Sequence, residues 1–153
     1  MRMLVTIDEI DKTATFRAVE KAFEEYRLYR FAEIIEEEPA IVQSYQPRFH
    51  GPTNVTSDST AITAMKNAHT TEMIKKCKRI ESVVSQLHPM EKMIMEHRYM
   101  KEYVKDYQVY SFVFEPPIGE KMYRKIRWNA VRRVATALGI LKFQPKKDGK
   151  NAD

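Results

Sequence analysis

The stretch Glu120-Lys121-Met122-Tyr123-Arg124-Lys125-Ile126-Arg127-Trp128-Asn129-Ala130-Val131-Arg132-Arg133-Val134-Ala135-Thr136-Ala137-Leu138-Gly139 decides how this chain is read. Met122, Ile126, Ala130 and Val134 step by four, with Val131 and Leu138 beside them, the spacing of one buried helical face. Lys121, Arg124, Lys125, Arg127, Arg132 and Arg133 fall away from that seam, with Glu120 the single acid. Gly139 stands where a helix end takes a left-handed residue. The spacing predicts an amphipathic, cationic helix over 120–138.

Working outward, Pro116-Pro117 interrupts any helix arriving from upstream. Before it, Tyr107, Val109, Tyr110 and Val113 predict a short helix from 107 to about 114, with Asp106 as its N-cap. Pro89 opens another, marked by Met90, Met93, Ile94, His97 and Tyr99 and ending near Met100. Residues 58–87 repeat Ile62, Met65, His69, Met73, Ile80, Val84 and Leu87 at near-heptad spacing, a long seam of the kind that seeks a partner helix. His69 is read as packed in that seam or at its edge. Residues 39–57 hold Pro39, Pro47, Gly51 and Pro52 among scattered hydrophobes and read as a linker. Before the linker, Phe16, Val19, Phe23 and Tyr26 place a first helix at 11–37, capped by Asp11 or Thr13. The expected fold class is all-α, with long N-terminal helices joined by a Pro-rich linker to a C-terminal helical module. The expected partition is an acidic helix at 1–38, a linker at 39–57, a long helix plus helix-turn-helix domain at 58–147, and a disordered tail at 148–153.

The net charge of +5 is unevenly spread. Residues 1–58 carry seven Lys or Arg against eleven Asp or Glu, whereas residues 119–153 carry ten against three. Residues 59–118 carry nine against seven, so the basic excess is concentrated at one end, which suggests a polyanionic partner and an acidic N-terminal part that keeps contact local. Other classes recede. The four glycines include no closely spaced pair, so no phosphate-cradling loop is expected. His88 and His97 lack partners at metal-ligand spacing, so no metal is expected. Cys77 lies among Lys75, Lys76, Lys78 and Arg79, cations that favour a thiolate, but no catalytic partner accompanies it. With no nucleophile–base pair and no cofactor fingerprint, neither enzymatic activity nor a cofactor is expected. The N-terminus lacks the apolar run of a signal peptide, and no stretch approaches the ~20 apolar residues of a membrane span, so an intracellular chain without a membrane partner is expected.

A short helix, a turn and a cationic helix form the layout of helix-turn-helix DNA readers. Cations displace counterions from phosphates, and residues on the first turns of such a helix reach base edges in the major groove. On this reading Lys121, Tyr123, Arg124 and Arg127 face the groove. Lys125, Arg132, Arg133, Lys142 and the tail residues Lys146 and Lys147 meet phosphate, and Trp128 is a core anchor or packing lid, with nucleobase stacking the lesser alternative.

The stretch Leu87-His88-Pro89-Met90-Glu91-Lys92-Met93-Ile94-Met95-Glu96-His97-Arg98-Tyr99, followed by Val104-Lys105-Asp106-Tyr107-Gln108-Val109-Tyr110, resembles the fourth-region domain of bacterial sigma factors. The continuation Lys121-Met122-Tyr123-Arg124-Lys125-Ile126-Arg127, with Ala130 and Ala135, is similar to the ArpU family of phage-encoded transcriptional regulators. The resemblance implies a sigma-like helix-turn-helix protein in the cytoplasm of a bacterial host. It would activate late phage or prophage genes by binding double-stranded promoter DNA, with a contact to RNA polymerase. Two features depart from that pattern. The turn Phe114-Glu115-Pro116-Pro117-Ile118 exceeds the usual 3–4 residues, and Gly119-Glu120 stands where Ser or Thr commonly opens the helix. The long helices would supply a homodimer interface. Two other classes share the cationic helix: a small-terminase-like DNA-packaging subunit, which would assemble as a ring, and an adaptor docking on an acidic protein.

Overall fold

The computed structural model describes residues 9–37 and 58–145. The expected linker at 39–57 and tail at 148–153, with Lys146 and Lys147, lie outside the described residues. The described residues are predominantly helical, and the fold is all-α. α1 spans Lys12–Glu37 and α2 spans Asp58–Ser85. α3, Pro89–Ile94, runs on into a π-helical turn at Met95–Tyr99. α4, Asp106–Gln108, does the same at Val109–Val113, and α5 is Glu120–Leu138. No strand occurs among the described residues, only an isolated antiparallel bridge between Ile10 and Phe143.

Local chemistry sets these boundaries. The Asp11 carboxylate accepts from the Ala14 amide at 3.0 Å, so Asp11 and not Thr13 caps α1. Gly139 closes α5 at φ +70°, a conformation in which any Cβ is strained. Asp106 is not an N-cap. It is the first residue of α4, and the amide before it, on Lys105, is held instead by the Gln108 side chain at 2.8 Å.

Among the described residues, a hydrophobic core joins the first and last helices. Val19, Phe23 and Tyr26 of α1 pack with Cys77, Ile80 and Val84 of α2 and with Ala130, Val131, Val134 and Ala135 of α5. α1 is thus shared between α2 and α5, and the described parts of segments 1–38 and 58–147 pack together. Among the α2 side chains described, the buried ones, Cys77, Ile80 and Val84, lie in its C-terminal part. His69 is exposed, which excludes the packed placement and leaves the seam edge, while Cys77 falls on the buried side because 77, 80 and 84 step by three and four. Burial pushes the Cys77 thiol up, the opposite of what its cationic neighbours in sequence suggested.

The two chain segments flanking the core are pinned to each other. The Asp11 amide donates to the Lys142 carbonyl at 2.9 Å and the Gln144 amide to the Glu9 carbonyl at 2.8 Å. The Thr15 hydroxyl, fully buried, accepts from the Lys142 amide at 3.2 Å and returns a bond to its carbonyl at 3.4 Å. None of the helices described is long and apolar enough to cross a membrane.

Candidate nucleic-acid interface

α5 has two very different sides. Its inner side is closed by Tyr123, Ala130, Val131, Val134 and Ala135. Tyr123 is 1% exposed, and its hydroxyl donates to Asp106 Oδ1 at 2.6 Å. A phenol held there cannot reach a base edge, so the expected groove role of Tyr123 is corrected to an internal one. Burial pushes its pKa up first and the Asp106 carboxylate second, since both disfavour a phenolate.

Arg127 is corrected in the same way. Its Nε donates to the Tyr99 hydroxyl at 2.8 Å, and one terminal nitrogen lies 3.3 Å from Asp106 Oδ2. Its other nitrogen lies 3.8 Å from Glu20, and the guanidinium sits 4.7 Å from the Phe16 ring centroid. Four helical segments therefore meet at this side chain, which is only 20% exposed. Arg98 completes the cluster, donating to Asp106 at 3.1 Å and to Glu20 at 3.3 Å. Two guanidinium groups face two carboxylates, so the charge balances inside and each arginine keeps several acceptors. Tyr99, beneath them, is pushed up to about 12 by its burial, against the pull of Arg127. The cluster fixes α4 against α5 through Asp106 and Tyr123, with Tyr110 adding a ring contact to Tyr123 at 5.3 Å.

The other side of α5 faces solvent. Lys121, Arg124 and Lys125 are exposed on its first turns, where a groove-reading helix presents its contacts. Arg124 is paired to Glu120 one turn earlier in an exposed salt bridge. Arg132 is half-buried, and Arg133 is exposed with its Nε 3.7 Å from the otherwise buried Glu91 of α3. Lys142 is exposed beyond the helix. Lys121, Lys125, Trp128 and Arg132 step by four, three and four and so form one strip. Trp128 is half-buried on that strip, 5.4 Å from Phe16, with the Lys12 ammonium 5.3 Å from its ring centroid.

Of the eight sequence-predicted contact residues that fall among the described residues, six present charge to solvent at least in part and two are internal. Sequence reasoning missed Asp106 as the hub, taking it for a cap. It also missed Arg98 and Glu20, which are 78 residues apart and meet only in the folded chain. No protein-family model matches this chain, and comparison with curated proteins and with solved structures gave no match.

Proposed function

We propose that this chain is a sequence-specific, double-stranded DNA-binding transcription regulator that uses α5 as its recognition helix. The observation that carries the reading is the division of α5 into an inner side immobilised by Tyr123 and Arg127 and an outer side displaying Lys121, Arg124 and Lys125. A reader must hold its cations in a fixed register, and the Asp106 cluster supplies rigidity where the contacts begin. Arg124 is the best-placed bidentate partner for guanine, and Lys121 and Lys125 flank it for groove or phosphate contact. Arg132, Arg133 and Lys142 serve as phosphate contacts. The resemblance to sigma fourth-region domains and ArpU-type proteins supports the finer reading of a phage or prophage late-gene activator that touches RNA polymerase. It works as a homodimer over half-sites about one helical turn, ~34 Å, apart.

Selection of bound duplexes from a random-sequence library tests this. The expected result is an enriched motif, with Arg124→Ala costing about 1–3 kcal/mol on the selected site and little on random duplex. Failure of the chain to retain any duplex at low salt would overturn the proposal. Light scattering would report its assembly state, a dimer being expected and a ring of many subunits contradicting it.

A further inference from the structure

α1 reads as acidic in sequence, yet its N-terminal half turns cations outward. Asp11 is consumed as a helix cap, and Glu20 is occupied inside by Arg98 and Arg127. Exposed along this half are Lys12, Arg17 and Lys21 against one acid, Glu24, and Arg17 and Lys21, one turn apart, form no salt bridge among the described residues. They line an open trough with Lys142, whose floor is the small side chains of Ala14, Ala18 and Ala22 against Ile140. Glu25 lies among the lining residues as the opposing charge.

Lys142 is there by construction. Its amide and carbonyl are both held by the buried Thr15 hydroxyl, and the carbonyl also accepts from the Asp11 amide. The backbone of this lysine is therefore fixed, and the residue lines the same trough as Arg17 and Lys21. A trough with a small-residue floor and three cations along it suits a rod of evenly spaced single negative charges. The floor admits close approach, and each cation gains by releasing a counterion from the rod. Lys12 over Trp128 links this end of α1 to the Lys121–Lys125–Arg132 strip on α5.

We propose that Arg17, Lys21 and Lys142 form a second contact site for the phosphodiester backbone of nucleic acid, separate from the recognition face of α5. The inference rests on the DNA-binding reading and adds α1 to it. Its role is sequence-independent: it holds the backbone that flanks the site read by α5. The helix that seemed to repel DNA then takes part in binding it.

The test is fluorescence anisotropy of the full chain on a labelled duplex across a potassium chloride series, comparing wild type with the triple variant Arg17→Gln, Lys21→Gln, Lys142→Gln. The expected result is a salt slope smaller by about 2–3 units, near 0.9 for each phosphate that is no longer neutralised, and at least about ten-fold weaker binding at about 0.1 M salt. The weakening should be equal on a selected site and on random duplex, since the phosphodiester backbone carries no sequence information. All three side chains are exposed, so an unchanged urea midpoint serves as the folding control. A wild-type chain that binds duplex while the triple variant keeps its full slope overturns this site and leaves the α5 reading intact. A wild-type chain that binds no duplex at low salt overturns both. Weakening confined to the selected site would also refute it, because that would make these residues readers of sequence.

Discussion

Removing the Asp106 carboxylate should loosen the molecule more than a charge that is 37% exposed would ordinarily do. In Asp106→Ala the guanidinium groups of Arg98 and Arg127 lose their nearest shared acceptor, and the buried Tyr123 hydroxyl loses the oxygen it donates to. Stripping one partner from a buried ion pair costs about 3–5 kcal/mol. Water reaching the partly open site reduces that to roughly 2 kcal/mol, and the orphaned phenol adds about 1–2 kcal/mol. A destabilisation of about 3 kcal/mol is expected, which at a urea slope of about 1–2 kcal/mol/M lowers the midpoint by roughly 2 M. Asp106→Asn keeps the shape and one acceptor but not the charge, and should lose about half as much. Trp128, the chain's sole tryptophan, packs between α1 and α5 and gives the fluorescence signal. A double-mutant cycle sharpens the test. Arg127→Met should be less harmful in the Asp106→Ala background than in the wild type, because its charge is then already under-compensated. If Asp106→Ala shifts the midpoint by less than about 0.3 M, the cluster is not what holds α4 to α5.

The two glycines flanking α5 should respond with opposite signs. Gly139→Ala places a Cβ at φ +70° and should cost about 1 kcal/mol, although the space around it is open. Gly119→Ser installs a capping hydroxyl at φ −71° and should stabilise by a few tenths of a kcal/mol; paired thermal melts check both. Tyr26 and Tyr99 hold their protons to about pH 12 in the fold, whereas the unfolded chain releases them near pH 10. The unfolded state then binds fewer protons, so stability should be level below about pH 9 and fall as the pH climbs from about 10 toward 12. Urea midpoints at about pH 8 and pH 11 measure this, and Tyr99→Phe should flatten the fall; equal slopes would argue against it. Glu120→Gln releases Arg124 from its exposed pair and removes a charge that repels phosphate. Binding to duplex, read by anisotropy, should tighten about two- to five-fold, the scale of a surface ion pair.

The helices were legible in the sequence because their signals are local. Asp11, Pro89 and Gly139 mark ends by chemistry that acts within one turn, and the four-residue steps of α5 mark its buried face. What sequence could not express was competition for the same side chain. Tyr123 and Arg127 sit in a run of cations and read as contacts, but Asp106 and Tyr99 claim them once the chain folds. The π-helical turns at Met95–Tyr99 and Val109–Val113 left no trace in the apolar spacing either, since a widened turn shifts a pattern by less than the pattern's own tolerance. Counting charges along α1 has a related limit. Glu20 counts toward the acidic total while lying inside a balanced cluster, so the total misstates the charge that solvent meets.

The pinning of Ile10 and Asp11 to residues 142–143 also has a consequence for timing. Thr15 and Lys142 are 127 positions apart, so the seat of the first helix waits for residues that a ribosome adds long after it. Until then α1 has α2 to lean on, but Val19 and Phe23 lack the cover of α5. Seating of α1 against α5 is therefore expected to come late, because it needs segments distant in the chain to meet. The same adjacency means that a short peptide joining Glu9 to Gln144, with the chain reopened elsewhere, would make the closing contact local and should speed folding.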